Sequence, residues 1–336
     1  MSRKKGIMKI GFIGASVTAQ GFNHSTKELT GYREYLNQEL DKIFKDFTSF
    51  NFSYPGNRLS DAGLLKIDEV IKSSPDVLVV EPLVEDATRG VAATEDEIHF
   101  FYSSFISRGI KVITLLMPHG NRSIVRDNNY KKIVAINNAL NIDTIEIDIS
   151  KIDVEGWFAG VHTTTEGVKP VGNMIKEQLL KILKSYSPPH STKTRVKENV
   201  FVERVKNSET LPKTITISSQ CGGKLRLVQK GRIGPFSPIL NISISQEISD
   251  KKLALSQSIW DPYCHYERNS YMTLVPTHAV NAGHVNYKIQ ISHDEPNYEE
   301  CRRDDVKWPE KADLKIVASD DIFIISDFKL DVIEVS

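Results

Sequence analysis

The feature that most restricts the fold is a change of period near residue 187. Before it, apolar β-branched runs alternate with segments of helical spacing. The runs are "KIGFIGAS", "FTSFNFSY", "DVLVVEPLV", "KVITLLMP" and "TIEIDIS". Between them stand "TGYREYLNQELDKIFKD", "LSDAGLLKIDEVIKSS", "TEDEIHFFYSSFISRG" and "NNYKKIVAINNALN". Strands this uniformly apolar need cover on both faces, which a parallel sheet between two helix layers provides. Pro75 breaks the chain ahead of the third run, and Gly109 closes the third helical segment as its C-cap. A last helix, roughly Thr164 to Lys184, completes a doubly wound α/β domain over residues 1–186.

Residues 187–198, within "SYSPPHSTKTRVKEN", are rich in Pro, Ser and charge and read as a linker. Beyond it the runs are short and alternate in polarity, as in "KTITISSQ", "GKLRLVQKG", "ILNISISQEI", "YMTLVP" and "HVNYKIQIS". This is the period of half-buried antiparallel strands, so residues 199–336 read as a β-sandwich. A length of 336 residues suits two cores better than one. Lys and Arg total 43 and Asp and Glu total 43, so no net field favours nucleic acid or an anionic membrane. Lys9 interrupts the apolar N-terminal run, and no stretch has the ~18 apolar residues of a membrane span. Cys221, Cys264 and Cys301 are three in number and widely spaced, which is no disulfide framework and fits a reducing compartment. A cytoplasmic protein is the expectation.

In a parallel sheet, ligands gather at the carboxyl ends of the strands. Ser16 stands there, after the first run, in "FIGASVTAQG"; it either attacks a substrate or caps the turn that follows. Gly11, Gly14 and Gly21 lack the spacing of a dinucleotide fingerprint, and no phosphate-loop Gly-Lys-Ser/Thr occurs. Gly56 and Asn57 follow the second run in "YPGNRLSDAG", where backbone N–H groups suit developing negative charge. Glu85 and Asp86 follow the third run in "EPLVEDATRG", and His119 follows the fourth in "LLMPHGNR". His162, in "WFAGVHTTTEGV", precedes the last helix and supplies the general base that a serine hydroxyl needs.

The ordered set of strand ends resembles the SGNH (GDSL-like) hydrolases over roughly Lys9 to Lys184. Ser16 matches the nucleophile of their Gly-Asp-Ser block, with Ala15 in place of the aspartate. Gly56 matches the oxyanion glycine of the second block, Pro118 the proline ending the fourth strand, and His162 and Gly167 the last block. The resemblance implies an SGNH-like, flavodoxin-like three-layer domain and serine esterase chemistry. Ser16 and Gly56 N–H groups would then bind the oxyanion, and Asn57, Asp86 and His119 would meet the substrate. No metal and no organic cofactor is implied.

Two positions depart from the family pattern. Glu85 stands where an asparagine donates to the oxyanion. An ionised carboxylate cannot donate, and at ~4 Å with an effective dielectric of ~20 it would repel an oxyanion by roughly 4 kcal/mol. Glu85 is therefore expected to turn away from the oxyanion, to be protonated and donate, or to bind something cationic, with turning away the leading reading. Ala159 stands where the family orients its histidine with aspartate, a loss worth roughly 10⁴-fold in a serine triad. Glu155, just upstream, is the substitute expected as third member of a Ser16–His162 site.

In the second half, "WDPYCHYERNSYMTLVPTHAVNAGHVNY" gathers aromatic, Arg and Asn side chains, with Trp260 and Tyr263 as candidate sugar-stacking residues. The expectation is an esterase that deacylates, most plausibly deacetylates, a carbohydrate or polysaccharide precursor. An acyltransferase with the same residues and a glycan-binding module without turnover are the alternatives.

Overall fold

The computed structural model describes residues 8–23, 26–89, 93–120, 128–150, 152–185, 200–205, 213–246, 249–259, 264–301, 308 and 321–335. The chain divides into two compact units, Met1–Lys197 and Glu198–Ser336. The expected linker, 187–198, lies outside the described residues.

The first unit is built on five parallel strands: β1 (Met8–Gly14), β4 (Phe47–Asn51), β5 (Val77–Glu81), β6 (Lys111–Leu116) and β7 (Asp143–Glu146). They lie in the order β4-β1-β5-β6-β7, a doubly wound sheet as the alternation led one to expect, in the flavodoxin-like winding that the resemblance implied. Every residue of β5 is buried, as a central strand covered on both faces requires. On one face α2 (Tyr32–Asp41) packs against α7 (Thr165–Lys184), and Leu36, Leu40, Val171, Ile175 and Leu179 join the core with Phe12, Val79 and Ile113. The other face carries α3 (Ile67–Ser73), α5 (Glu95–Ile106) and α6 (Asn128–Leu140). The start of α5 is fixed by a capping box: Thr94 accepts from Glu97 N, and the Glu97 side chain accepts from Thr94 N at 2.8 Å. Three short features complete the unit near the carboxyl ends of the strands. They are α1 (Ser16–Ala19), the ribbon of β2 (Phe22–Asn23) with β3 (Glu28–Leu29), and the hairpin of β8 (Phe158–Ala159) with β9 (His162–Thr163). A further helix, α4 (Val84–Arg89), opens directly off β5 where the sequence suggested only a loop.

The second unit is an antiparallel sandwich. One sheet runs β10 (Phe201–Val205), β17 (Asp321–Ser326), β12 (Gly223–Ile233), β15 (Arg268–Val280). The other runs β14 (Ser249–Ser258), β13 (Ile239–Gln246), β16 (Gly283–Ile291), β11 (Lys213–Ser219), β18 (Asp331–Val335). Alternate residues point inward, as Lys213, Ile215, Ile217 and Ser219 do along β11. Ile242, Ile244, Leu274, Tyr287 and Ile324 fill the space between the sheets. Cys221 is exposed and Cys264 buried.

Candidate active site

The site begins with two adjacent strand ends. Phe52 N donates to Phe12 O at 2.9 Å and Tyr54 N to Gly14 O at 2.8 Å, so the chain beyond β4 follows β1 to its end. Ser16 and Gly56, each two residues further on, leave the sheet side by side. Tyr54 O accepts from Asn57 N at 3.2 Å, closing a turn with Pro55 and Gly56 at its centre. Gly56 has φ +70°, and a side chain there would meet nothing within 4 Å. Proline followed by a glycine with positive φ is the requirement of a type II turn. Asn57 is buried and its Nδ2 donates to Pro55 O at 2.8 Å, so its side chain secures this turn rather than facing outward.

Ser16 is the first residue of α1, half-buried, and the N-cap position belongs to Ala15, which has no side-chain capping bond. The hydroxyl is therefore not spent as a cap. β9 packs against α1, and Gln20 Nε2, just after α1, donates to Thr163 O at 2.8 Å. Ser16 and His162 thus sit on touching elements. Among the described residues no hydrogen bond joins their side chains.

His162 lies on the short hairpin directly opposite Ala159. Burial lowers its pKa, and the negative charge of Glu85 works against that decrease. The imidazole is consequently held in its neutral, proton-accepting form at neutral pH. Glu155, expected as its carboxylate partner, is exposed, and its backbone N donates to Asp153 Oδ1 at 3.1 Å. Glu85, whose charge opposes the effect of burial on His162, is half-buried on the first turn of α4.

Around Glu85 the end of β5 is crowded with carboxylates. Glu81 is buried, and its Oε1 accepts from Leu83 N and Val84 N, both at 2.9 Å, which starts α4. Among the described residues its Oε2 has no hydrogen-bond partner. Burial pushes its carboxyl up to about 7, with the charges of Asp86 and Glu85 adding to the rise. Asp86, expected at the substrate, is turned inward: Oδ2 accepts from Ala93 N at 3.0 Å, and burial pushes the group up to about 6. Sequence reasoning missed Glu81, although a glutamate ending an otherwise apolar strand was its visible signal.

His119, half-buried after β6, meets Thr88 Oγ1 of α4 through Nε2 at 3.0 Å. The next residue, Gly120, has φ +64°, and a side chain there would come within 2.4 Å of Gly160 O. This contact joins the His119 loop to the hairpin that carries His162. Trp260 and Tyr263 lie outside the described residues. Among the described residues no three His, Cys, Asp or Glu side chains are gathered as metal ligands.

A five-stranded parallel sheet followed by a sandwich recurs in solved structures. A two-domain esterase (CEX) active on acetylated mannans aligns over 97% of this chain and 93% of its own, at 16% identity and a TM-score of 0.60. The same esterase co-crystallised with mannopentaose aligns over 96% and 92%, at 17% identity and a TM-score of 0.59. This chain thus has the fold of that two-domain esterase, a five-stranded parallel α/β unit followed by an antiparallel sandwich. The acetylxylan esterase Axe2 from Geobacillus stearothermophilus covers 57% of this chain and all of its own, at 17% identity and a TM-score of 0.41. No family model matches the sequence, and no curated protein matches it.

Proposed function

We propose that the protein is a serine esterase of the SGNH type that removes acetyl groups from a carbohydrate. The observation that carries this reading is the pairing of an uncapped serine on α1 with a neutral imidazole on β9, the element packed against it. Ser16 Oγ attacks the acyl carbonyl while His162 accepts its proton. The peptide N–H groups of Ser16 and Gly56 steady the tetrahedral oxyanion. His162 then protonates the departing sugar oxygen, and water, activated by the same imidazole, releases acetate from the acyl-enzyme. Serine–histidine bonds are often long in unliganded enzymes and tighten as substrate binds, so their separation here is compatible with the chemistry.

The carbohydrate part rests on likeness of fold to the mannan esterase at low identity. The test is hydrolysis of 4-nitrophenyl acetate and of acetylated manno-oligosaccharides by the full chain and by Ser16→Ala and His162→Ala. Acetate release that both substitutions abolish supports the reading; a wild type no faster than buffer on every substrate ends it. A second reading, a glycan-binding module without turnover, is favoured by Ala159 at the carboxylate position opposite His162. It predicts oligosaccharide binding with no acetate released.

A further inference from the structure

The acidic end of β5 and the missing aspartate at position 159 bear on the same imidazole. Gly14 of β1 is paired with Glu81 of β5, so the segments carrying Ser16 and Glu85 leave neighbouring strands at the same edge of the sheet. The helix bearing Glu85 is tied to the His162 hairpin by a continuous path: Thr88 to His119, then Gly120 against Gly160. Ala159 faces His162 across that hairpin with only a methyl group. We propose that Glu85 is the positioning residue for His162, supplying from α4 the negative charge that position 159 lacks. This rests on the esterase reading above.

The placement resolves the conflict at Glu85. A carboxylate at the oxyanion repels the charge that forms there, whereas one facing the imidazole attracts the imidazolium that forms at the same moment. Other groups packed around the hairpin do not fill this role. The elements touching β9 bring Ser16, Val17, Thr18 and Ala19 of α1, none of them ionised at neutral pH, and Glu166 and Lys169 of α7, both exposed. Glu166 lies at the Gly156 turn, where its Oε2 is 3.1 Å from the position of a Cβ on that glycine. Asp153 and Glu155 are exposed upstream, and His119 is engaged with Thr88. The negative charge of Glu85 favours the protonated form of His162, against the effect of burial.

The test is Glu85→Gln in the full chain, which removes the charge yet leaves an amide able to donate to an oxyanion. Imidazole resonances of His162, assigned through His162→Gln, are titrated in both proteins, and kcat and KM for 4-nitrophenyl acetate are measured across pH. The proposal expects the His162 titration and the acid limb of kcat/KM to move to lower pH, with kcat about tenfold lower or more and KM little changed. Adding Ala159→Asp to Glu85→Gln should restore the titration and most of the rate, which a merely structural role for Glu85 would not produce. An unmoved titration in Glu85→Gln, or a faster enzyme, overturns the proposal while leaving the esterase reading intact. An inert wild type whose His162 titration still shifts in Glu85→Gln sinks the esterase reading and upholds the pairing.

Discussion

The ends of β1 and β4 and the end of β5 sit on one edge of one sheet, yet they are built from opposite materials. Beside β1 and β4 the chain offers small residues and backbone: Gly14, Ala15, Ser16 and the Pro55–Gly56 turn, with no ionisable side chain among them. Beyond β5 it packs Glu81, Glu85 and Asp86 into six residues, and two of these have pKa values raised to about 7 and about 6. An oxyanion needs the first environment and an imidazolium needs the second. The contrast teaches that the edge is divided by charge, with Ser16 on the neutral side and the proposed partner of His162 on the acidic side.

The largest effect should come from the neutral side. Ser16→Ala is expected to bring acetate-ester hydrolysis to the buffer rate, a loss on the order of 10⁶-fold if the serine forms the acyl-enzyme. The thermal midpoint should barely move, because the hydroxyl caps nothing. Residual turnover in a steady-state assay would mean that the neutral side is not where the bond breaks.

The acidic side can be probed through stability. The Glu81 carboxyl is raised from its ordinary 4.5 to about 7 by burial, so the folded protein holds a proton that the unfolded chain releases between those values. Stability from this group is complete below pH 4.5 and is lost as pH rises toward 7, by about 3 kcal/mol in all. Glu81→Gln should flatten that decline in urea midpoints between pH 5 and pH 8, with Asp86 retaining a smaller share. An identical slope in the two proteins would show that the carboxylates there are not suppressed.

A smaller effect measures how far the two sides communicate. Ala159→Asp places a carboxylate directly across from His162. Where a triad carboxylate is absent, restoring it is worth up to roughly 10⁴-fold. With Glu85 already supplying the charge, the gain in kcat should stay below about tenfold. A gain of several thousandfold would separate the acidic side from His162.

Much of this division was legible in the residues, and the reasons are local. Gly109 marked the end of α5, where it has φ +77°, and Gly56 marked the loop after β4, where it has φ +70°. β10 and β14 escaped notice because both are edge strands, where the charged and polar residues that protect an edge from pairing blur the apolar alternation. α4 was hidden because its first turn carries two acids and follows a proline, a composition that also suits a loop. The partner of His162 was hidden for a different reason. Sequence proximity pointed to Glu155, seven residues away, whereas Glu85 approaches only after β5 and the hairpin are brought to one edge.

The smallest expected effect concerns the turn that carries Gly56. Gly56→Ala adds a methyl group to open space, so no packing is disturbed. The cost is confined to holding a non-glycine residue at φ +70°, about 1–2 kcal/mol. Because the substitution keeps the peptide N–H, kcat should fall only a few-fold while the urea midpoint drops measurably. Gly120→Ala is the contrasting control: the same positive φ is joined by a 2.4 Å approach to Gly160 O, so relief of the clash must move the hairpin that bears His162. That variant should lose kcat out of proportion to its stability. If the two alanines behave alike, the His119 loop does not set the position of the imidazole, and the link from α4 to the hairpin loses its structural basis.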